Sequence, residues 1–334
     1  MKKRNKINDT VTITVIVLLA VLFAACNEYE SKIDQELLKR IPDGDFMVFS
    51  AKPKEILNSQ FVNTAIELDV GMDEFLRSIA RIEREFGINP KTDVERFTAF
   101  SDDFRGIEEN YGILVQGDFK NLDFENLVWE MNAEDSLINI ASYEVHRLTH
   151  RMRRGDRVHY MYYDDQEIIT GADYDFMERL LNLKNGTGNS LSANTDFIRK
   201  LGRIRNKDSY WFIVPTNQLV KDVLDKVRER DPRFSGEVLQ IEAFLGGFSV
   251  GDELKSNFQA YNSSEEQLEL LYNLAYSARG LGALTLLEFP GIKDILNRIE
   301  INKSSDHIEI SGTLTQDDLE LLDDLHGRLP YRRR

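Results

Sequence analysis

The side chains in this sequence that could carry out chemistry are few. Among its 334 residues there is one cysteine, Cys26, and there are five histidines. A single cysteine can form neither an intrachain disulfide nor a metal site built from several cysteines. The sequence also lacks a Gly-x-Ser-x-Gly elbow, a phosphate-binding glycine loop, an HExxH pair and an EF-hand loop. It therefore predicts a protein that is not an enzyme, with no catalytic residue and no cofactor.

Three of the histidines fall within one predicted hairpin. His146 and His150 lie four residues apart on one strand, which places both on the same face, and His159 lies on the partner strand. Three imidazoles could bind zinc if a carboxylate joined them. The arginines around them would oppose a metal dication, so we expect a solvated polar face and no metal ligand.

The same hairpin carries five arginines in an otherwise acidic chain: Arg147, Arg151, Arg153, Arg154 and Arg157. Such a patch could bind a phosphate, a carboxylated glycan or the acidic surface of a partner protein. Alternatively, the charges only keep an exposed hairpin tip in solution. The sequence leaves both interpretations open.

The first 25 residues predict a secretory signal peptide. A basic start, Met1–Lys6, precedes an apolar run, Val11–Ala25, that ends in small residues. This run is short against the roughly 20 residues that a membrane-spanning helix needs. Its last three residues, Phe23-Ala24-Ala25, stand directly before Cys26.

This tetrapeptide resembles the lipobox of bacterial lipoproteins, with Phe23 in place of the usual leucine. The resemblance implies cleavage after Ala25, a diacylglyceryl group on the Cys26 thiol and a further acyl chain, such as palmitate, on the new amino group. Several acyl chains give stable membrane anchoring. Asn27 implies the outer membrane, and the acidic residues after it either resemble a surface-export signal of Bacteroidota lipoproteins or form a solvated tether. We expect a cell-envelope protein on the periplasmic or the surface face.

The charge of the body limits its partners. Residues 1–25 carry four basic groups and one acid, so their removal lowers the net charge from −15 to −18. Nucleic acid is excluded as a partner, because phosphate neutralisation needs clustered Lys and Arg. Nor would charge draw this body onto an anionic lipid surface, so the membrane is contacted through the N-terminal lipid.

Composition and turn clusters divide the chain into six segments. These are the signal peptide at 1–25, a tether at 26–40, a first half at 41–184, a linker with a short helix at 185–207, a second half at 208–326 and a basic tail at 327–334. The linker rests on the glycines and asparagines of 185–190, a typical loop composition.

The patterning within the two halves predicts an α+β fold. Strands are predicted at 46–50, 94–100, 111–119, 143–149, 157–163, 208–215 and 238–250, among others, with helices between them. An apolar strand followed by a helix opens each half, at Phe46 and at Tyr210, and the second of these helices is predicted around Leu219–Leu224. We therefore expect two similar halves, each a mostly antiparallel sheet with helices packed on it. This layout resembles uncharacterised duplicated envelope lipoproteins of Bacteroidota-like bacteria.

The expected function is a non-enzymatic binding or assembly role in the envelope, with an envelope protein as partner. An alternative is a carrier of a lipid or another apolar ligand, which the aromatic segments Tyr210-Trp211-Phe212 and Tyr160–Tyr163 suggest. Core packing explains the same segments. A further alternative is a hydrolase of cell-wall or glycan substrates.

Overall fold

A computed structural model describes residues 35–68, 73–102, 111–152, 155–215, 241–285 and 290–328. The predicted signal peptide, Cys26, the helix predicted around Leu219–Leu224 and residues 329–334 of the basic tail lie outside these ranges.

Ten helices and twelve strands make up the described residues. The helices are α1 (Gln35–Leu38), α2 (Pro53–Asn58), α3 (Gln60–Glu67), α4 (Asp73–Phe86), α5 (Phe124–Glu130), α6 (Tyr174–Lys184), α7 (Thr195–Arg203), α8 (Glu265–Thr285), α9 (Pro290–Asn297) and α10 (Gln316–Arg328). The strands are β1 (Met47–Ala51), β2 (Val94–Ser101), β3 (Tyr111–Gly117), β4 (Ala133–Ile140), β5 (Tyr143–Met152), β6 (Gly155–Tyr163), β7 (Glu167–Gly171), β8 (Tyr210–Pro215), β9 (Ala243–Val250), β10 (Leu254–Tyr261), β11 (Glu300–Lys303) and β12 (His307–Leu314). This content confirms the predicted α+β class.

All of these strands join one sheet in the order β11-β12-β10-β9-β8-β1-β2-β3-β7-β6-β5-β4. Each neighbouring pair is antiparallel. The strands of the first half are contiguous, and so are those of the second. They meet at β1 and β8, where Val48 lies opposite Ile213.

Side chains alternate between the two faces of this sheet, and both faces are covered by helices. We call them the α6 face and the α8 face. On the α6 face, Leu180 of α6 and Leu201 of α7 share one core with Val48 and Ile213. On the α8 face, α9 and α10 cover one core near Leu254. A separate core around Leu148 packs against residues of α4 and α5.

Short polar side chains set the helix boundaries. Asp123 and Asp173 accept N–H bonds at the starts of α5 and α6. The helix predicted to follow the strand at Phe46 is two helices, because Ser59 has an extended backbone and caps α3 by accepting from the Val62 N–H. Ser264 accepts from the first turn of α8.

The two halves have similar strand orders, but their last helices differ in position. The helix after β7 is α6, which packs on the α6 face, whereas the helix after β12 is α10, which packs on the α8 face. The internal duplication therefore stays a prediction.

The ends of the predicted tether and the predicted linker pack on the body. Leu37 and Leu38, within the tether at 26–40, are buried in the core of the α6 face. Within the linker, Ser190 forms an antiparallel β-bridge with Pro42. The next residue, Leu191, is fully buried. Glycine composition predicts the turn at 186–188 but not these contacts.

Candidate functional site

An apolar cleft lies between the α8 face of the sheet and helix α8. Its volume is about 380 Å³. Its walls come from the centre of the sheet, on both sides of the junction between the halves, and from α8. The lining residues are Phe49, Tyr210, Phe212, Val214, Phe244, Leu245, Phe258, Gln259, Ala260, Leu271, Ala275, Ile308 and Ile310.

The floor of the cleft is a lateral row of side chains across five strands. Phe49, Phe212, Gly246, Phe258 and Ile310 lie opposite one another in successive strand pairs. The rings of Phe49 and Phe212 stack at 6.1 Å, and those of Phe212 and Phe258 are 5.9 Å apart. A Cβ on Gly246 would lie 2.6 Å from Phe258 and 2.7 Å from Phe212. The glycine thus gives both rings their space.

Among the residues that the structure describes, none with a charged side chain lines the cleft. The phenylalanines of the floor are only half-buried, although rings of this size usually gain their stability from full burial. Two lining residues carry polar side-chain groups, Tyr210 and Gln259. The amide of Gln259 donates to the Arg203 carbonyl at 3.0 Å and to Glu309 at 3.3 Å, so it is already engaged.

Tyr210 lies at the start of β8, at one end of the cleft. Its ring stacks on Phe248 at 4.9 Å and lies 6.1 Å from Phe212. Burial raises the pKa of its hydroxyl to about 12, so the group stays neutral. Within the described ranges the hydroxyl has no hydrogen-bond partner, whereas that of Tyr261 donates to Gln259 at 2.8 Å.

The roof of the cleft is α8. Leu271 and Ala275, one turn apart, face the cleft. On the flanks of the helix, Leu270, Leu274 and Tyr276 are 40, 53 and 50 % exposed. The outer side carries the exposed polar residues Glu269, Asn273 and Ser277, as is usual for a surface helix.

A second concave surface, near the start of α8, is acidic. Glu265, Glu266, Glu269 and Lys303 line it. The ammonium of Lys303 lies 2.5 Å from Glu269 and lowers the pKa of that carboxyl by a hydrogen bond. A glycosidase needs one carboxylic acid with a raised pKa to protonate the leaving group, and Glu269 is shifted in the opposite direction.

His146 and His150 share one face of the sheet, as predicted, and the structure places His159 on the same face. Each of the three histidines forms a polar contact through its Nδ1 atom. That of His146 lies 2.9 Å from Asp135, and that of His150 donates to the Met131 carbonyl at 3.0 Å. His159 is hydrogen-bonded to the Tyr111 hydroxyl at 2.5 Å. Over the described ranges, no group of three His, Cys, Asp or Glu side chains is placed to hold a metal ion.

The rings of His150 and His159 meet edge to face at 5.0 Å. Burial, then the proximity of His150 and Arg157, lowers the pKa of His159 to about 4. Burial also raises the pKa of Tyr111 to about 12. The Nε2 atom of His150 is buried without a hydrogen-bond partner in the structure. These side chains pack tightly together, which the spacing of the histidines alone did not reveal.

The five arginines do not form one patch in the described part of the chain. Arg147 and Arg151 project from β5 toward the α6 face, whereas Arg157 lies opposite His150 on the α8 face. Arg151 pairs with Glu134 at 2.5 Å, and both side chains are mostly exposed. Arg153 and Arg154 lie outside the described ranges. Anion or partner binding here stays a prediction.

Ala25 and Cys26, the residues of the predicted cleavage and lipidation site, also lie outside the described ranges. Of the helices that the structure describes, none combines the length and the apolar character that crossing a bilayer requires.

Comparison with known proteins assigns no family to the chain. No protein-family model matches it, and no curated protein matches its sequence. A solved structure described as crystal form I of TP0453 is similar at a TM-score of 0.41 and 10 % identity, over 89 % of this chain and 99 % of that one. A likeness at this level assigns neither fold family nor function.

Proposed function

We propose that this protein is a membrane-anchored envelope lipoprotein that binds one apolar ligand, without catalysis, in the cleft under α8. The observation that carries the proposal is the cleft of about 380 Å³, whose described lining residues are uncharged and whose floor carries half-buried phenylalanines. Small-molecule sites are typically concave, mostly apolar and about 300–1,000 Å³ in volume. The cleft stands near the lower limit of that range, which suits a single hydrocarbon chain better than a two-chain lipid.

The expected affinity follows from burial. Each methylene group moved from water into the cleft contributes about 0.8 kcal/mol, so a chain of about ten carbons contributes roughly 8 kcal/mol. Part of this is lost to the cost of association. We therefore expect dissociation constants in the micromolar range or weaker.

Binding is testable with the soluble mature chain, residues 26–334 carrying Cys26→Ser to prevent lipidation. The probe is N-phenyl-1-naphthylamine, whose fluorescence rises in an apolar site, and 1-decanol should displace it. Ala275→Trp places a large ring in the cleft and should abolish saturable binding. Ser277→Trp, on the exposed side of the same helix, is the matched control and should bind as the parent does. Equal binding by both tryptophan variants would refute the proposal.

Assembly with an envelope protein remains the second candidate function, and one observation favours it. Leu270 and Leu274, one turn apart on α8, are exposed apolar residues that a protein partner could cover. A crosslinked pull-down from cells should recover an envelope protein with the parent chain and lose it with Leu274→Glu. Recovery that is unaffected by this substitution would exclude α8 as the contact surface.

A further inference from the structure

The cleft holds one polar group that nothing in the fold uses. The lining residues that the structure describes include no Asp, Glu, Lys, Arg or His. Of the two polar lining residues, Gln259 donates hydrogen bonds through its amide to Arg203, Asn257 and Glu309. The hydroxyl of Tyr210 is left without a partner across the described ranges. A phenylalanine would serve equally well for stacking on Phe248, so packing alone gives no reason for this oxygen.

We propose that the Tyr210 hydroxyl is the polar contact of the cleft, and that its ligand is an uncharged single-chain amphiphile. This inference rests on the proposed function. The hydrogen-bonding group of the ligand, an alcohol, an ester or a similar neutral group, lies against Tyr210. Its hydrocarbon chain lies along the floor toward Val214 and Ile308.

The positions of Tyr210 and Val214 at opposite ends of the cleft set the orientation of the ligand. Tyr210 and Val214 are four residues apart on β8, which separates them by about 13 Å along the strand. Phe212 lies between them, on the same side of the strand. Beyond it, Val214, Phe244, Ala260 and Ile308 form the next lateral row. One end of the cleft thus has a hydroxyl, and the described side chains at the other end are all hydrocarbon.

Because the described lining residues carry no charge, the cleft selects against ionised ligands. A carboxylate or phosphate next to Tyr210 would lose its hydration and find no cation in return, which is costly. A neutral group loses less on entering and regains one hydrogen bond. The hydroxyl stays protonated at neutral pH because its pKa is raised to about 12, so it remains available as a donor.

The test compares three ligands of one chain length by displacement of N-phenyl-1-naphthylamine at pH 7.5. These are 1-decanol, decanoate and 1-decene, measured with the Cys26→Ser mature chain and with Tyr210→Phe added to it. The parent should bind 1-decanol more tightly than decanoate. Tyr210→Phe should weaken 1-decanol roughly fivefold or more, the equivalent of one hydrogen bond, and leave 1-decene unchanged. Tyr174→Phe, at an exposed tyrosine on α6, is the matched control.

The outcomes separate this inference from the proposed function. If 1-decene and 1-decanol bind the parent and Tyr210→Phe with the same ratio of affinities, the role of Tyr210 is refuted while the cleft stands. If decanoate binds as tightly as 1-decanol, the neutral headgroup is refuted. If no probe binds the parent, the proposed function fails together with the inference. Unchanged 1-decene affinity in Tyr210→Phe shows that the cleft itself is intact.

Discussion

Lowering the pH from 7 to 4.5 should weaken the fold through His159. This imidazole packs edge to face against His150 and is hydrogen-bonded to Tyr111. Arg157 contributes a positive charge nearby. A proton on His159 would therefore be desolvated and would face a cation and a second imidazole.

The sign and the size of the effect follow from the two pKa values. The pKa of His159 is about 4 in the folded protein, against 6.5 for an unperturbed imidazole. Between these values the unfolded chain binds more protons, so stability falls as the pH falls from 6.5 toward 4. At about 1.36 kcal/mol per pH unit, the free energy of unfolding falls by at most about 3 kcal/mol. Because the side chain is only half-buried, solvent screening reduces this to about 1–2 kcal/mol.

The assay is urea denaturation of the mature chain at pH values between 7 and 4.5, followed by tryptophan fluorescence. His159→Gln removes the titration while it keeps a hydrogen-bonding group opposite Tyr111. Between pH 7 and 4.5 the free energy of unfolding of the parent should fall by about 1–2 kcal/mol more than that of this variant. His307→Gln, at β12 and far along the sheet, should retain the parent's excess loss because it leaves His159 intact. Identical pH dependence of the parent and His159→Gln would refute the reasoning.

Two further substitutions test the core of the α6 face by urea denaturation at pH 7. Glu167→Gln removes the carboxylate that pairs with Arg40 at 2.7 Å and with Lys184, and all three side chains are largely buried. The substitution should lower the free energy of unfolding by about 2 kcal/mol. A loss below about 0.5 kcal/mol would show that water screens these ion pairs. Gly112→Ala places a Cβ 2.5 Å from the Phe100 ring and should cost about 1–3 kcal/mol. Gly280→Ala, in open space on α8, should instead be neutral or stabilising, and the reasoning fails if both alanines behave alike.

The strands and helices with strong periodicity could be predicted, whereas β4 could not. Its residues Glu134–Ser136 are exposed and polar. The next residue, Leu137, is apolar but 54 % exposed. As the edge strand, β4 has one neighbour and contributes little to the core. The alternation that identifies a half-buried strand is therefore missing from it.

The cleft could not be predicted because its residues come from distant parts of the chain. Phe49, Phe212 and Phe258 become neighbours only through the β1–β8 pairing at the centre of the sheet. In the sequence each of them reads as an ordinary core residue of an apolar strand. The aromatic segment Tyr210-Trp211-Phe212 did suggest an apolar ligand, and core packing explained it equally well.

The structure divides that segment between the two faces of the sheet. Trp211 is buried in the core of the α6 face, while Tyr210 and Phe212 line the cleft on the α8 face. A slip of one residue would exchange them. Two adjacent glycines oppose that slip: Gly246 leaves room for the rings of the floor, and a Cβ on Gly247 would lie 2.9 Å from the Tyr210 carbonyl. Paired glycines inside a strand indicate close approach, and here they fix which aromatic side chains line the cleft.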